Sequence, residues 1–138
     1  MDPKLPTAEH ILAKILEEEF NVKVGICKFD DIGLLEVYSD VDLREVEIKF
    51  LEEKVNEVIS RNLPVKKYIL PREQAKKEVD LRKVPDKIQK IRIVDIQGFD
   101  KRPCKDEHVD NTSEIRKISI QSVERVGKDR YRFLFDVE

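Results

Sequence analysis

The stretch CKDEHVDNTSEI, residues 104–115, places a cysteine and a histidine four positions apart in a chain with only two cysteines and two histidines. Thiolate and imidazole are donors that zinc prefers, and two of them this close can converge on one ion. An alternating apolar segment, Ile91–Ile96, and Gly98 precede the stretch. We therefore expect a loop or strand edge at the mouth of a sheet, with Cys104 and His108 as candidate zinc ligands.

The second histidine, His10, lies in a predicted helix that begins near Pro6 and runs to about Glu19. Proline suits the first helical turn, where its missing N–H would have no partner. At 100° per residue His10 points away from the apolar stripe of this helix, so it faces either solvent or a cleft. It is therefore either a surface histidine or a third zinc ligand. Cys27, in an alternating apolar segment, is interpreted as a small buried hydrophobe.

The remaining pattern favours an α+β fold. A second helix fits Asp42 to about Arg61, and a short third helix fits Pro71 to Lys77. The second helix has a predicted buried face of Val46, Phe50, Leu51, Val55, Val58 and Ile59. Strand patterns cover Val22–Phe29, Leu34–Tyr38, Val65–Leu70, Ile91–Ile96, Ile115–Val126 and Arg130–Val137. Because helices and strands are segregated, we expect a mainly antiparallel sheet packed against two long helices, in a single domain over residues 1–138.

Charge is distributed unevenly along the chain. The net charge is -2, which argues against a general nucleic-acid binder. Residues 66–105, called here the basic band, carry 13 Lys/Arg and 6 Asp/Glu, a balance of +7 against -9 for the rest. Such a band either contacts part of a polyanion or only solvates surface strands and loops.

The sequence also indicates a compartment. No apolar run approaches the roughly 18–20 residues that span a bilayer, and the N-terminus has no apolar stretch typical of a signal peptide. We therefore expect a cytoplasmic protein without membrane contact. A disulfide between Cys27 and Cys104 is not expected in that compartment.

With these motifs described, the sequence resembles the second additional domain shared by threonyl- and alanyl-tRNA synthetases. It is most similar to the short free-standing form of that domain, the alanyl-tRNA editing proteins of the AlaX type. The resemblance is carried by PTAEHILAKIL (6–16), RNLPVKKYILPREQAKK (61–77) and CKDEHVDNTSEI (104–115). It covers essentially the whole chain.

The resemblance implies one zinc ion, held in the family by a His-x-x-x-His and a Cys-x-x-x-His motif. The first histidine of the family falls at Pro6, which cannot bind a metal, so the implied ligands here are His10, Cys104 and His108. The resemblance further implies a hydrolase that removes a wrong amino acid, mainly serine, from the acceptor end of tRNA for alanine. The alternative is a non-catalytic homologue that binds tRNA or another RNA and has lost zinc through Pro6.

Further roles follow from this implied function. Glu107, beside His108, either acts on a water or orients a ligand, or it is a surface charge. We expect tRNA to bind through the basic band rather than the acidic second helix, since Lys and Arg contact phosphates. The candidates are Lys66, Lys67, Arg72, Lys76, Lys77, Lys101, Arg102 and Lys105.

Overall fold

A computed structural model describes residues 2–138. The helices are α1 (Lys4–Phe20), α2 (Ile48–Ile59) and α3 (Arg72–Ala75). The strands are β1 (Lys23–Phe29), β2 (Gly33–Tyr38), β3 (Val65–Pro71), β4 (Lys90–Ile96), β5 (Asp100–Pro103), β6 (Ile118–Gly127) and β7 (Arg130–Val137). The predicted α+β class with antiparallel pairing is confirmed. Within residues 2–138, every helix is too short or too polar to span a membrane.

The described strands form two sheets, where the sequence pattern led us to expect one. One sheet has the order β1-β2-β7-β6 and the other has the order β3-β4-β5. We did not predict β5, because the short polar segment Asp100–Pro103 has no apolar alternation. It is a strand because it pairs with β4, where Pro103 lies opposite Ile93. Helix α1 contacts β1, β2 and β7 of the first sheet and β5 of the second, so it joins the two sheets.

The helices differ in length from the prediction. Helix α1 has 17 residues, whereas α2 has 12 and begins only at Ile48. The preceding residues form a separate 3-10 turn at Leu43–Glu45, in which the Asp42 carboxylate accepts the N–H of Arg44. Such a local side-chain bond competes with the helical pattern. Val46 is then extended, so the predicted continuous helix is interrupted.

The core forms where α1 and α2 pack on the first sheet. Leu12 and Leu16 of α1, Leu51 of α2, and Phe133 and Phe135 of β7 are completely buried. Burying each such side chain contributes about 1.5–3 kcal/mol. This packing fixes the position of α1, and therefore of His10, relative to the strands.

Two predicted core residues lie outside the core. Phe50, assigned to the buried face of the second helix, is 38% exposed. Cys27, interpreted as a buried hydrophobe, is exposed. The register of β1 against β2 shifts between Val24 and Cys27. Such a bulge on an edge strand disrupts the inward–outward alternation on which the prediction relied.

Candidate metal centre

Three side chains that are far apart in the sequence meet at the N-terminal half of α1. His10 comes from α1, whereas Cys104 and His108 come from the segment after β5. Their candidate ligand atoms all lie within 4.8 Å of one another. The Nε2 atom of His108 is 3.4 Å from the Sγ atom of Cys104, and the two imidazole centroids are 4.4 Å apart. These three residues form a group that can hold a metal ion.

The segment that carries Cys104 and His108 is held at both ends. The guanidinium of Arg92 on β4 donates to the backbone carbonyls of Cys104 (3.1 Å) and Asp106 (2.7 Å). At the other end the hydroxyl of buried Thr112 donates to Ile59 O, at the end of α2, and accepts from the N–H of Leu63. Residues 104–115 thus supply two candidate ligands, Cys104 and His108, and also Thr112, which fixes the position of their segment against α2.

The NTSE part of the motif is a turn with a capping box. The Asn111 side chain accepts the N–H of Ser113, and the Glu114 carboxylate accepts the N–H groups of Asp110 and Asn111. These bonds satisfy backbone donors that the short 3-10 turn leaves unpaired. The turn therefore stabilises the backbone immediately after His108.

Thr7 determines which nitrogen of His108 is available to a metal. Its hydroxyl lies 3.1 Å from Pro3 O, 3.0 Å from His108 Nδ1 and 3.2 Å from the N–H of Val109. A hydroxyl has one proton, and the Pro3 carbonyl can only accept it. The hydroxyl oxygen then accepts from Val109 and from a proton on His108 Nδ1. This satisfies every group and leaves the His108 Nε2 lone pair free, facing Cys104.

The electrostatics keep the three candidate ligands neutral in the metal-free protein. Burial lowers the pKa of His10, with further lowering by His108 and Arg102. Burial also lowers the pKa of His108 to about 3, assisted by nearby cationic side chains. Neutral imidazole is the form that binds metals. Burial raises the pKa of the Cys104 thiol to about 12, so metal binding there requires release of a proton.

The residues present fit a metal ion. The Nδ1 atom of His10 is buried and has no hydrogen-bond partner among the described residues, a state that costs free energy unless a ligand satisfies it. Two imidazoles and one thiol are a donor set suited to zinc. Pro6, one helical turn before His10, is buried and offers no donor to a metal. The role of these residues as ligands stays a prediction.

A buried carboxyl group that we did not predict lies next to the three candidate ligands. Glu9 is only 4% exposed, and its Oε2 atom has no hydrogen-bond partner within residues 2–138. Burial raises its pKa to about 7, opposed by the positive charge of Arg102. Its carboxyl lies close enough to Cys104 to help raise the pKa of that thiol. Glu9 lies next to His10 in a turn of α1 whose other residues are buried. Its position beside a candidate ligand was the signal in the sequence that could have identified it.

The structure leaves Glu107 at the surface. It is exposed and forms no hydrogen bond or ion pair within residues 2–138, as its interpretation as a surface charge would require. Its side chain is therefore not held against the three candidate ligands, although it lies next to His108 in sequence.

The candidate phosphate contacts in the basic band fall into two groups. Most of them are engaged with groups of the protein itself. Arg102, with its side chain only 20% exposed, contacts Asp100 and Glu17. The others of this group are Lys67 with Asp110, Arg72 with the 84–88 loop, Lys76 with Glu73, and Lys101 with Glu78. Lys66, Lys77 and Lys105 are exposed and form no ion pair within residues 2–138.

Comparison with known proteins agrees with the resemblance read from the motifs. Residues 91–133 match the threonyl and alanyl tRNA synthetase second additional domain. The alanyl-tRNA editing protein AlaX-M of Methanosarcina acetivorans is 29% identical over 96% of this chain. The chain is related to the AlaX-type alanyl-tRNA editing proteins.

Other relatives have the same pattern of partial coverage. AlaX-M of Saccharolobus solfataricus is 31% identical over 98% of this chain, and AlaX-L of Pyrococcus horikoshii is 34% identical over 96%. The chain spans 56% and 58% of the length of the two AlaX-M relatives, and 33% of the AlaX-L relative. It therefore corresponds to a little more than half of each AlaX-M relative and to one third of the AlaX-L relative.

Proposed function

We propose that this chain is a zinc-dependent editing hydrolase that cleaves the ester bond of a mischarged aminoacyl-tRNA in the cytoplasm. The observation that carries the proposal is the convergence of His10, Cys104 and His108 from two separate parts of the chain. The similarity to alanyl-tRNA editing proteins supports this chemistry. By the same similarity we propose Ser-tRNA-Ala as the substrate and residues 1–138 as one editing-type domain.

The proposed ligand set has a chemical purpose. His10, Cys104 and His108 would hold zinc, and a zinc ion with three protein ligands supplies a Lewis acid that polarises a carbonyl or activates water. Thr7 keeps the Nε2 atom of His108 unprotonated. Arg92 keeps the Cys104 segment in place through its two carbonyl contacts. The buried surroundings exclude most water from the cluster, which strengthens electrostatic interactions there.

The surface around the cluster would hold the tRNA acceptor end. Lys105 immediately follows Cys104 and is exposed, so it is placed to contact a phosphate of the terminal nucleotides. Lys66 and Lys77 are exposed on and after β3 and would contact the acceptor stem. Phosphate contacts of this kind hold the tRNA in register and carry no sequence information.

The proposal is tested by deacylation of Ser-tRNA-Ala with protein purified without chelator, alongside measurement of its zinc content. We expect hydrolysis by the wild type, loss after zinc removal, and recovery when zinc is returned. The matched control is Cys27→Ala, since Cys27 is the only other cysteine and lies outside the group of three candidate ligands. We expect Cys104→Ala to lose zinc and activity, and Cys27→Ala to keep zinc.

One observation favours a second candidate function. Pro6 provides no donor where the family has a histidine, and this favours an RNA-binding homologue without catalysis. In that case the wild type binds tRNA with the same affinity with and without zinc, and Ser-tRNA-Ala stays intact. Hydrolysis that requires zinc would contradict the second candidate.

A further inference from the structure

Glu9 is the carboxylate in the described chain that most needs a partner. The residue is only 4% exposed, and its Oε2 atom has no hydrogen-bond donor within residues 2–138. A buried carboxylate oxygen without a donor is costly, and native proteins keep such groups where a ligand satisfies them.

Arg102, whose positive charge acts on Glu9, does not hydrogen-bond to it. The Arg102 guanidinium donates to both carboxylate oxygens of Asp100 at 2.7 and 2.9 Å and to Glu17 at 2.7 Å. Two carboxylates therefore already neutralise Arg102, and none of its hydrogen bonds reaches Glu9. Glu9 remains an acceptor for a cation that comes from outside the chain.

The position of Glu9 specifies where that cation would be. Glu9 directly precedes His10 on α1, and its charge helps to raise the pKa of the Cys27 and Cys104 thiols. Cys27 is exposed on the edge strand β1, so this strand is the solvent-facing neighbour of Glu9. Glu9 is not itself part of that group, whose atoms lie within 4.8 Å of one another.

We propose that Glu9 binds the α-ammonium group of the aminoacyl ester and thereby makes the site select aminoacyl over hydroxyacyl esters. This inference rests on the proposed function, because it assigns a residue to the substrate of the same site. The ammonium supplies N–H donors and a positive charge to Oε2, and the low dielectric of a buried position strengthens the pair. The ester carbonyl would then lie beside the candidate ligands.

The test uses two nonhydrolysable probes, in which an amide replaces the ester at the 3′ position of adenosine. One probe carries a seryl group. The other carries a glyceryl group, here the acyl group of glyceric acid, in which a hydroxyl replaces the α-amine of serine. Binding to the zinc-supplied protein is measured by calorimetry for the wild type, Glu9→Gln and Glu18→Gln. Glu18 is an exposed residue of the same helix, paired with Lys14, and serves as the matched control.

We expect Glu9→Gln to weaken binding of the seryl probe roughly 10- to 100-fold, as for loss of a hydrogen bond to a charged group. Binding of the glyceryl probe should change less than about twofold, since it has no charge to pair. Glu18→Gln should change neither. The same variants are assayed for hydrolysis of Ser-tRNA-Ala, where we expect Glu9→Gln to raise KM.

Two outcomes overturn the inference alone. If Glu9→Gln weakens both probes equally, Glu9 has a structural role, and if it weakens neither, Glu9 does not contact the amine. In both cases hydrolysis of Ser-tRNA-Ala by the wild type would still support the proposed function. A wild type that binds neither probe and hydrolyses nothing would overturn the proposed function and this inference together.

Discussion

The group of His10, Cys104 and His108 differs from the basic band in how its polar atoms are partnered. The three candidate ligands are mostly buried, converge within 4.8 Å, and leave the Nδ1 atom of His10 without a partner. The basic band, residues 66–105, is spread over the second sheet and its loops, and most of its candidate phosphate contacts are paired internally. Unsatisfied polar atoms therefore concentrate at the candidate metal centre.

The difference teaches how far each kind of sequence signal can be trusted. The Cys-x-x-x-His spacing indicated two donors able to converge on one ion, and the structure brings both close to His10. A count of Lys and Arg does not report how many of these charges are paired: nearby carboxylates pair with most of the eight candidates. Phosphate binding by the band stays a prediction. Arg102 is the clearest case: as an internal partner of Asp100 and Glu17 it stabilises the fold around α1 and β5.

The largest effect should come from removing the thiol at the candidate metal centre. We expect Cys104→Ala to lower zinc affinity at least about 100-fold, because loss of a direct ligand costs more than the 10- to 100-fold loss typical of its hydrogen-bond partners. Competition with a chromogenic chelator measures the affinity. Equal zinc affinities for Cys104→Ala and the wild type would show that zinc is not bound by His10, Cys104 and His108.

Next in size is the effect of the hydroxyl that orients His108. Thr7→Val should lower zinc affinity roughly 10- to 100-fold, because the proton on His108 Nδ1 loses its acceptor. The N–H of Val109 also loses an acceptor, which should lower the free energy of unfolding of the metal-free protein by about 1–3 kcal/mol. Chelator competition and thermal unfolding measure the two effects.

Thr7→Ser is the matched control for that change, since it keeps the hydroxyl and removes only a methyl group. We expect Thr7→Ser to retain most of the zinc affinity. Were Thr7→Ser to lose as much affinity as Thr7→Val, the hydroxyl would have no special role and the inferred His108 tautomer would be unsupported.

A smaller and opposite effect is expected when the missing donor is supplied. Pro6 lies one helical turn before His10 on α1, so side chains at the two positions share a face. Pro6→His should tighten zinc binding tenfold or more, equivalent to about 1.4 kcal/mol. Pro6→Ala, which also removes the proline ring, is the control. Unchanged affinity in Pro6→His would show that position 6 is not the family's ligand position.

The smallest effect concerns the basic band. It distinguishes the exposed lysines of the band, unpaired within residues 2–138, from residues such as Arg102 that are paired internally. If Lys66 and Lys105 each contact a tRNA phosphate, replacing both with alanine should reduce the slope of log affinity against log salt by about two units. Arg102→Ala should instead lower the free energy of unfolding by roughly 2 kcal/mol, because Asp100 loses its partner. Affinity measured over a salt series and thermal unfolding separate the two. An unchanged slope for the double variant would exclude these lysines as phosphate contacts.

Much of the local structure could be predicted from the sequence, since hydrophobic periodicity reports which face of an element is buried. The α+β class, α1, and strands such as β4 and β7 followed from that pattern. The pattern missed β5, whose polar residues form a strand only because β4 is beside them. It also placed Cys27 inside, because a bulge cannot be read from alternation.

The candidate site was determined partly by the sequence and partly by the tertiary structure. The sequence by itself determined the donor types, their spacing and the absence of a donor at Pro6. Only the tertiary structure brought His10 to Cys104, placed Thr7 against His108, left Glu9 without a donor and paired Arg102 internally. The physical reason is that periodicity describes burial along one element, whereas these contacts depend on how α1 packs against strands remote in sequence.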